Sequence, residues 1–232
     1  MSLTLVIGNK NYSSWSLRPW IAMKAAGISF KEIVIPLYEF GSPEEILKYS
    51  PAGKVPILID GDETVWDSLA ILEHLAERFP GANLWPADPR ARSLARVVSA
   101  EMHAGFQALR QHCTMNLWLP PKPRPQPDEV LANVRRIDAL WSDCRSRFGQ
   151  KAEFGGPFLF GNFGNADAMY VPVVARFHSY GLAVSATART YMDAVMALPA
   201  WREWVDAAMK EPWIMRHNEP DWPLVRGVPV SQ

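Results

Sequence analysis

The stretch Asn11 to Trp20, NYSSWSLRPW, holds Ser13, Ser14 and Ser16 between a short apolar run and a helix-like segment. A nucleophilic serine needs a general base within reach. The neighbours here are Asn9, Lys10, Asn11, Tyr12 and Arg18, with no histidine or carboxylate close in sequence. The G-x-S-x-G elbow of serine hydrolases is also missing. A hydroxyl near a helix N-terminus has another use: it donates to a bound anion, and favouring the charged form lowers that anion's pKa. For a bound thiol, each unit of lowering corresponds to about 1.4 kcal/mol in favour of the reactive thiolate.

Two further stretches carry binding chemistry. In SPAGKVPILID, Ser50 to Asp60, Pro56 has no N–H for a sheet ladder, so it belongs at a strand's first residue or in a cis turn. A cis Val55-Pro56 bond would leave the Val55 N–H and C=O open to an extended peptide, whereas a plain strand-entry proline implies no ligand. In DSLAILEHL, Asp67 and Ser68 open a helix. Either residue suits the N-cap, worth about 1 kcal/mol. The pair also suits an amino-acid zwitterion, with Ser68 and the free helix N–H groups on the carboxylate and Asp67 on the ammonium. His74, farther along that helix, fits a satisfied structural histidine better than a catalyst.

These residues need a frame, and the first 80 residues supply mixed signals for one. Leu3 to Ile7 and Glu32 to Ile35 read as strands, and Val55 to Asp60 and Glu63 to Trp66 bracket the turn DGDE. Ser16 to Ala26 and Ser68 to Phe79 read as helices. The order is a βαβ unit, an irregular or helical stretch, and a closing ββα, which predicts a small mixed sheet with helices packed on it. FPGANLWPADP, with three prolines, reads as a linker. Beyond it the periodicity is helical. Leu94, Val97, Val98, Met102, Phe106 and Leu109 form one stripe, Val130 to Phe148 another, and Met169 to Phe177 and Trp201 to Ala208 two more. The predicted class is α/β plus all-α: residues 1–80 as one domain, 81–90 as linker and 91–232 as a helical bundle. LPPKPRPQP, between two of the long helices, has five prolines and reads as a stiff spacer, with a proline-binding partner as the alternative.

Composition narrows the function classes. Lys plus Arg and Asp plus Glu number 24 each, so no global field draws the chain to nucleic acid or an anionic membrane. The N-terminal apolar run is far too short to span a bilayer and lacks the pattern of a signal peptide. The two cysteines, Cys113 and Cys144, lie apart with no metal-ligand spacing around them. Reduced structural thiols in a cytoplasmic protein are expected, and no metal site.

Taken together, NYSSWSLRPWIAMKAAGISFKEIVIPL, SPAGKVPILID and DSLAILEHLAERFP resemble the glutathione transferase family in order and spacing over nearly the whole chain. The first stretch is most similar to the serine-type zeta and tau classes, where a serine stands five residues before the first arginine of R-V-R; here that serine is Ser13, ahead of Arg18. The resemblance implies a thioredoxin-like N-terminal domain and a glutathione site in the cleft beside the helical domain. By position Val55, next to Pro56, would pair with the cysteinyl backbone, Asp67 and Ser68 would hold the γ-glutamyl end, and Lys54 would approach the glycyl carboxylate. Ser13 would stabilise the thiolate, with Ser14 as the alternative.

There are departures from the family pattern. R-V-R becomes Arg18-Pro19-Trp20, and the proline suggests a helix starting no earlier than about Ser16 or loosened in its first turn. The usual S/T-x-x-D capping box reads GNAD, with Gly164 in the hydroxyl position; a glycine cap is only slightly worse, so the helix is expected to survive. No cysteine stands in SSWS, which argues against mixed-disulfide chemistry.

The second substrate, a small electrophile, would sit between the SSWS loop and the first bundle helix, near Trp15, Met102, His103, Phe106 and Arg110. Met102 and Phe106 at helical spacing equally fit ordinary packing. Three functions follow from the resemblance: transfer of glutathione to an electrophile; glutathione-assisted cis-trans isomerisation of a maleylacetoacetate-like diacid; and a non-catalytic binding module. A homodimer is implied as well.

Overall fold

The computed structural model describes residues 2–151, 155–226 and 228–229. Its sheet has four strands: β1 (Leu3–Ile7), β2 (Phe30–Val34), β3 (Ile57–Asp60) and β4 (Glu63–Val65), in the order β2-β1-β3-β4. β1 runs parallel to β2, with Leu3 opposite Phe30, and antiparallel to β3, with Leu5 opposite Leu58. Alternation along β1 divides its side chains between two layers. Leu3, Leu5 and Ile7 face the main core with α1 (Ser14–Ala25) and α3 (Ser68–Arg78), while Val6 joins Ile35, Ile46 and Ile57 under α2 (Ser42–Leu47).

The remaining helices are α4 (Pro89–Ala104), α5 (Gln107–His112), α6 (Asp128–Cys144), α7 (Asn165–Ser179), α8 (Ala186–Ala197) and α9 (Pro199–Ala208). α7 is buried on every side over Asn165–Phe177, as expected for a helix apolar around most of its circumference. It packs against both α1 and α4, so it connects the bundle to the serine-bearing helix. The glycine cap holds: the Gly164 N–H donates to Asp167 Oδ2 at 3.0 Å, and the Leu159 N–H to Oδ1 at 3.0 Å. Asp167 is fully enclosed, and burial pushes its carboxyl up to about 6.

Several boundaries differ from the sequence expectation. α1 starts at Ser14, not Ser16, because Pro19 is its sixth residue and removes one ladder donor, opposite the Trp15 carbonyl, without blocking the first turn. The stripe from Leu94 to Leu109 is not one helix. α4 stops at Gly105, Phe106 takes a left-handed conformation (φ 59°), and α5 starts afresh. The stripe also overstated Val97, which is 56% exposed. After α9 the chain leaves α-helix; a 3-10 turn at Arg216–Asn218 follows, and β5 (Leu224–Val225) pairs antiparallel with β6 (Val228–Pro229).

Candidate active site

The loop from Gly8 to Ser13 is fixed by residues distant in sequence, from the middle and the far end of the chain. Glu211 accepts the backbone N–H of Lys10 at 2.6 Å and of Asn11 at 2.9 Å. Trp204 Nε1 donates to the Lys10 carbonyl at 2.9 Å. The Asn11 amide oxygen accepts the N–H of Leu117 at 2.7 Å and of Trp118 at 3.1 Å, and the Tyr12 hydroxyl is bonded to Glu219. Burial raises the carboxyls of Glu211 and Glu219, against the hydrogen bonds that favour their charged forms. Buried polar groups without partners are costly, so each bond helps to hold the loop in one conformation.

The three serines have different surroundings. Ser13, the residue ahead of α1, makes no cap bond to the helix backbone; its hydroxyl shares a 2.8 Å hydrogen bond with that of Ser16. Ser16 is fully enclosed and accepts the Gly8 N–H at 3.1 Å. Ser14 Oγ accepts from Arg176 Nη2 at 3.3 Å. Ser13 and Ser14 keep a small exposed area, 7% and 8%, and both open onto one cleft of about 740 Å³.

Beneath them lies a cationic cluster. Arg176 is buried, also donates to the carbonyls of Cys113 (2.8 Å) and Pro172 (3.1 Å), and is pushed down to about 10 by burial and by Arg110. Arg18 donates from Nη1 to Ser68 Oγ at 3.3 Å, while its Nε has no partner among the described residues. Burial, then Arg176 and Arg110, push Arg18 down to about 9, with Asp67 opposing. Among the described residues none of these three arginines forms an ion pair at salt-bridge distance. Such a cluster favours an anion above it.

On the opposite wall, Gly53, Lys54, Val55, Pro56 and Asp67 line the same cleft. The Val55-Pro56 peptide is cis, as is Trp66-Asp67. Among the described residues neither the Val55 N–H nor its C=O has a hydrogen-bond partner. Asp67, not Ser68, is the N-cap of α3: its Oδ1 accepts the Leu69 N–H at 3.1 Å, while Oδ2 lies 3.2 Å from His103 Nε2. Ser68 is fully buried, and Lys54 is exposed. His74 is bonded to Asp60 at 3.0 Å.

The other sequence candidates are not all in the open space. Trp15 lines the cleft, with the Arg18 and Arg110 guanidiniums 4.2 Å and 5.3 Å from its ring centroid and the His103 ring edge-on at 5.3 Å. Met102 is fully enclosed, and Phe106 is buried. The Arg110 guanidinium donates to the carbonyls of Met102, His103 and Gly105 at the end of α4. The free volume lies instead beside Tyr12, Leu37, Tyr38, Met215 and His217. The Tyr38 and His217 rings meet edge-on at 4.6 Å on its rim. Sequence reasoning missed Arg176, Glu211, Glu219 and this C-terminal wall; Ser16 and Arg18 stood inside the opening stretch but carried no assigned role.

Comparison with known proteins gives the family. The sequence pattern of the glutathione S-transferase N-terminal domain matches residues 12–78, and that of the C-terminal domain matches residues 63–207. The chain belongs to the glutathione S-transferase family. This family member is 31% identical over 126 residues to a zeta-class glutathione S-transferase of Euphorbia esula, covering 53% of this chain and 54% of that one. It is 39% identical over 102 residues to the maleylacetoacetate isomerase of Rattus norvegicus, covering 42% and 47%. The chain thus spans about half the length of these curated relatives, whereas a Triticum aestivum glutathione S-transferase is matched at 26% identity over 92% of this chain and 94% of its own. A Burkholderia glutathione transferase homologue, solved with glutathione bound, shares the transferase fold at a TM-score of 0.68 and 20% identity, over 91% of this chain and all of that one. Among the described residues no group of three or more His, Cys, Asp or Glu is placed to hold a metal, and no helix is long and apolar enough to cross a membrane.

Proposed function

We propose that this family member binds glutathione in the cleft and holds its sulfur as a thiolate, through a serine hydroxyl, for attack on a small electrophile. The observation that carries the reading is the convergence of the Ser13 and Ser14 hydroxyls, the unpaired Val55 backbone and Asp67 on one cavity. An extended γ-glutamyl tripeptide needs each of these. The cysteinyl backbone pairs with Val55 beside Pro56, the ammonium meets Asp67, the γ-glutamyl carboxylate lies at the N-terminus of α3, where Ser68 is buried behind the cleft on Arg18, and the glycyl carboxylate meets Lys54. Ser13 donates to the sulfur and Ser14 stands beside it. The thiolate forms a carbon–sulfur bond while the leaving group departs with its electron pair, or adds to an activated double bond. The electrophile sits over Trp15 against Tyr12, Tyr38, Met215 and His217, while Met102, Phe106, His103 and Arg110 support that wall from behind.

Likeness to the zeta-class and isomerase relatives favours a second reading, cis-trans isomerisation of an unsaturated diacid with glutathione returned unchanged. A third, a non-catalytic module of the same fold, is disfavoured by the pairing of serines with a peptide edge. Under both enzymatic readings residues 1–80 carry the glutathione site, 81–90 link, and 91–232 supply the second wall of a cytoplasmic homodimer subunit; sedimentation tests the dimer.

Calorimetric titration with glutathione, together with conjugation of an aryl halide by wild type, Ser13→Ala and Ser14→Ala, tests the function. Binding in all three and a raised thiol pKa in Ser13→Ala are expected. No binding by wild type refutes both enzymatic readings. Glutathione consumed in step with product marks transfer, and glutathione recovered intact marks isomerisation.

A further inference from the structure

Asp67 divides its carboxylate between two neighbours. Oδ1 accepts the Leu69 N–H at 3.1 Å and so caps α3, while Oδ2 lies 3.2 Å from Nε2 of His103, near the end of α4. The carboxylate is about half exposed and borders the cleft, whereas His103 stands behind it, outside the residues that line the space. The imidazole is held on two further sides: its ring is edge-on to Trp15 at 5.3 Å, and its backbone carbonyl accepts from Arg110 at 2.9 Å. Nδ1 is enclosed and has no partner among the described residues. An enclosed polar atom without a partner is costly, and a phenyl ring would pack against Trp15 without that cost. What the imidazole gains in return is the contact of Nε2 with Asp67. A carboxylate oxygen only accepts, so at that contact Nε2 carries the hydrogen.

We propose that His103 is a positioning residue for glutathione: from the helical bundle it holds the Asp67 carboxylate in the orientation that receives the γ-glutamyl ammonium. The inference rests on the glutathione reading above and deepens it, because it gives His103 a part in recognising the amino end of the tripeptide besides its place behind Trp15. The cap bond fixes one carboxylate oxygen, and the His103 contact fixes the other. A carboxylate held at both oxygens has less freedom to lose when the ligand arrives. Each oxygen has two lone-pair sites, so both contacts leave room for the ammonium.

The test is calorimetric titration of wild type, His103→Ala, Asp67→Asn and the double variant with glutathione and with glutaryl-cysteinylglycine, which lacks only the amino group. His103→Ala is expected to weaken glutathione binding by about three- to tenfold and to leave the affinity for the deaminated analogue as it is in wild type. The His103→Ala effect is expected to vanish in the Asp67→Asn background, whose amide oxygen still caps α3. His103→Gln, which keeps an N–H donor, is expected to regain most of the affinity. His103→Phe, which fills the space beside Trp15 without a donor, is expected to match His103→Ala and serves in its place if the alanine variant fails to fold. Equal weakening of both ligands by the His103 variants overturns the proposal, as does no weakening of either, and in both cases the proposed function stands. Wild type that binds the two ligands alike puts the ammonium away from Asp67 and overturns it as well. No glutathione binding by wild type removes the proposed function and this inference together.

Discussion

Arg176 reaches from the centre of the helical bundle to the hydroxyl of Ser14, with 3.3 Å between Nη2 and Oγ. Its other donors are fixed on the Cys113 and Pro172 carbonyls. The side chain therefore places a buried positive charge behind Ser14, which lines the cleft, without a carboxylate at salt-bridge distance among the described residues. Replacing it by glutamine keeps a donor and removes the charge. Arg176→Gln is expected to raise the pKa of bound glutathione by about one unit, equivalent to about 1.4 kcal/mol. Arg176→Lys should recover part of the shift, and thiolate absorbance in a pH titration reads both.

Glu211 accepts two adjacent backbone N–H groups of the serine loop, a task only a paired set of acceptor oxygens performs. Glu211→Gln replaces one acceptor with an NH2 group and leaves one N–H unpaired. The variant is expected to lose about 1–3 kcal/mol of stability in chemical denaturation. It should also raise the KM for glutathione more than it lowers kcat, because it disorders binding geometry rather than removing a group that touches the sulfur.

The sheet was legible because its strands are short apolar runs punctuated by Gly, Pro and the DGDE turn, while for Pro56 the sequence left two places, strand entry or a cis turn, and the structure has the cis bond. α7 was legible through its periodicity, glycine cap included. The break at Gly105 was not. The apolar spacing runs straight across it, and a left-handed Phe106 has no local signature. Arg110 drew attention as a candidate for the second substrate, yet its guanidinium caps α4, a contact that exists only because the helix ends there. Glu211 and Arg176 were invisible for a different reason: each meets its partner across more than 160 positions, and helical periodicity reports which face is buried, not what it meets.

Asp167 gives the fold a pH signature. Its carboxyl is raised by burial from an ordinary value of 3.8 to about 6. The native state therefore binds more protons than the unfolded chain between those values, and stability falls as pH rises through the window. The contribution is full below pH 4 and lost above pH 6, with a span of up to roughly 3 kcal/mol. Asp167→Asn is expected to remove this slope. Denaturant midpoints at pH 4 and pH 7 for the two proteins check it.

Both thiols are buried, and burial pushes Cys113 and Cys144 up to about 12. At neutral pH almost no thiolate exists at either position. Neither is expected to react with an aromatic disulfide reagent in the native protein, and both should react in denaturant. Conjugation should survive treatment with such a reagent without loss.

The wall of the cleft that holds Met215 and His217 comes from the same segment whose carboxylates, Glu211 and Glu219, hold the serine loop. This sets a rule for divergence. A tail grafted from another family member can bring a new pocket shape, but only a graft that keeps those two acids in place also keeps the hydroxyls aligned. Selectivity and reactivity are thus inherited together, and chimeras exchanging residues 212–218 alone are the ones in which they separate.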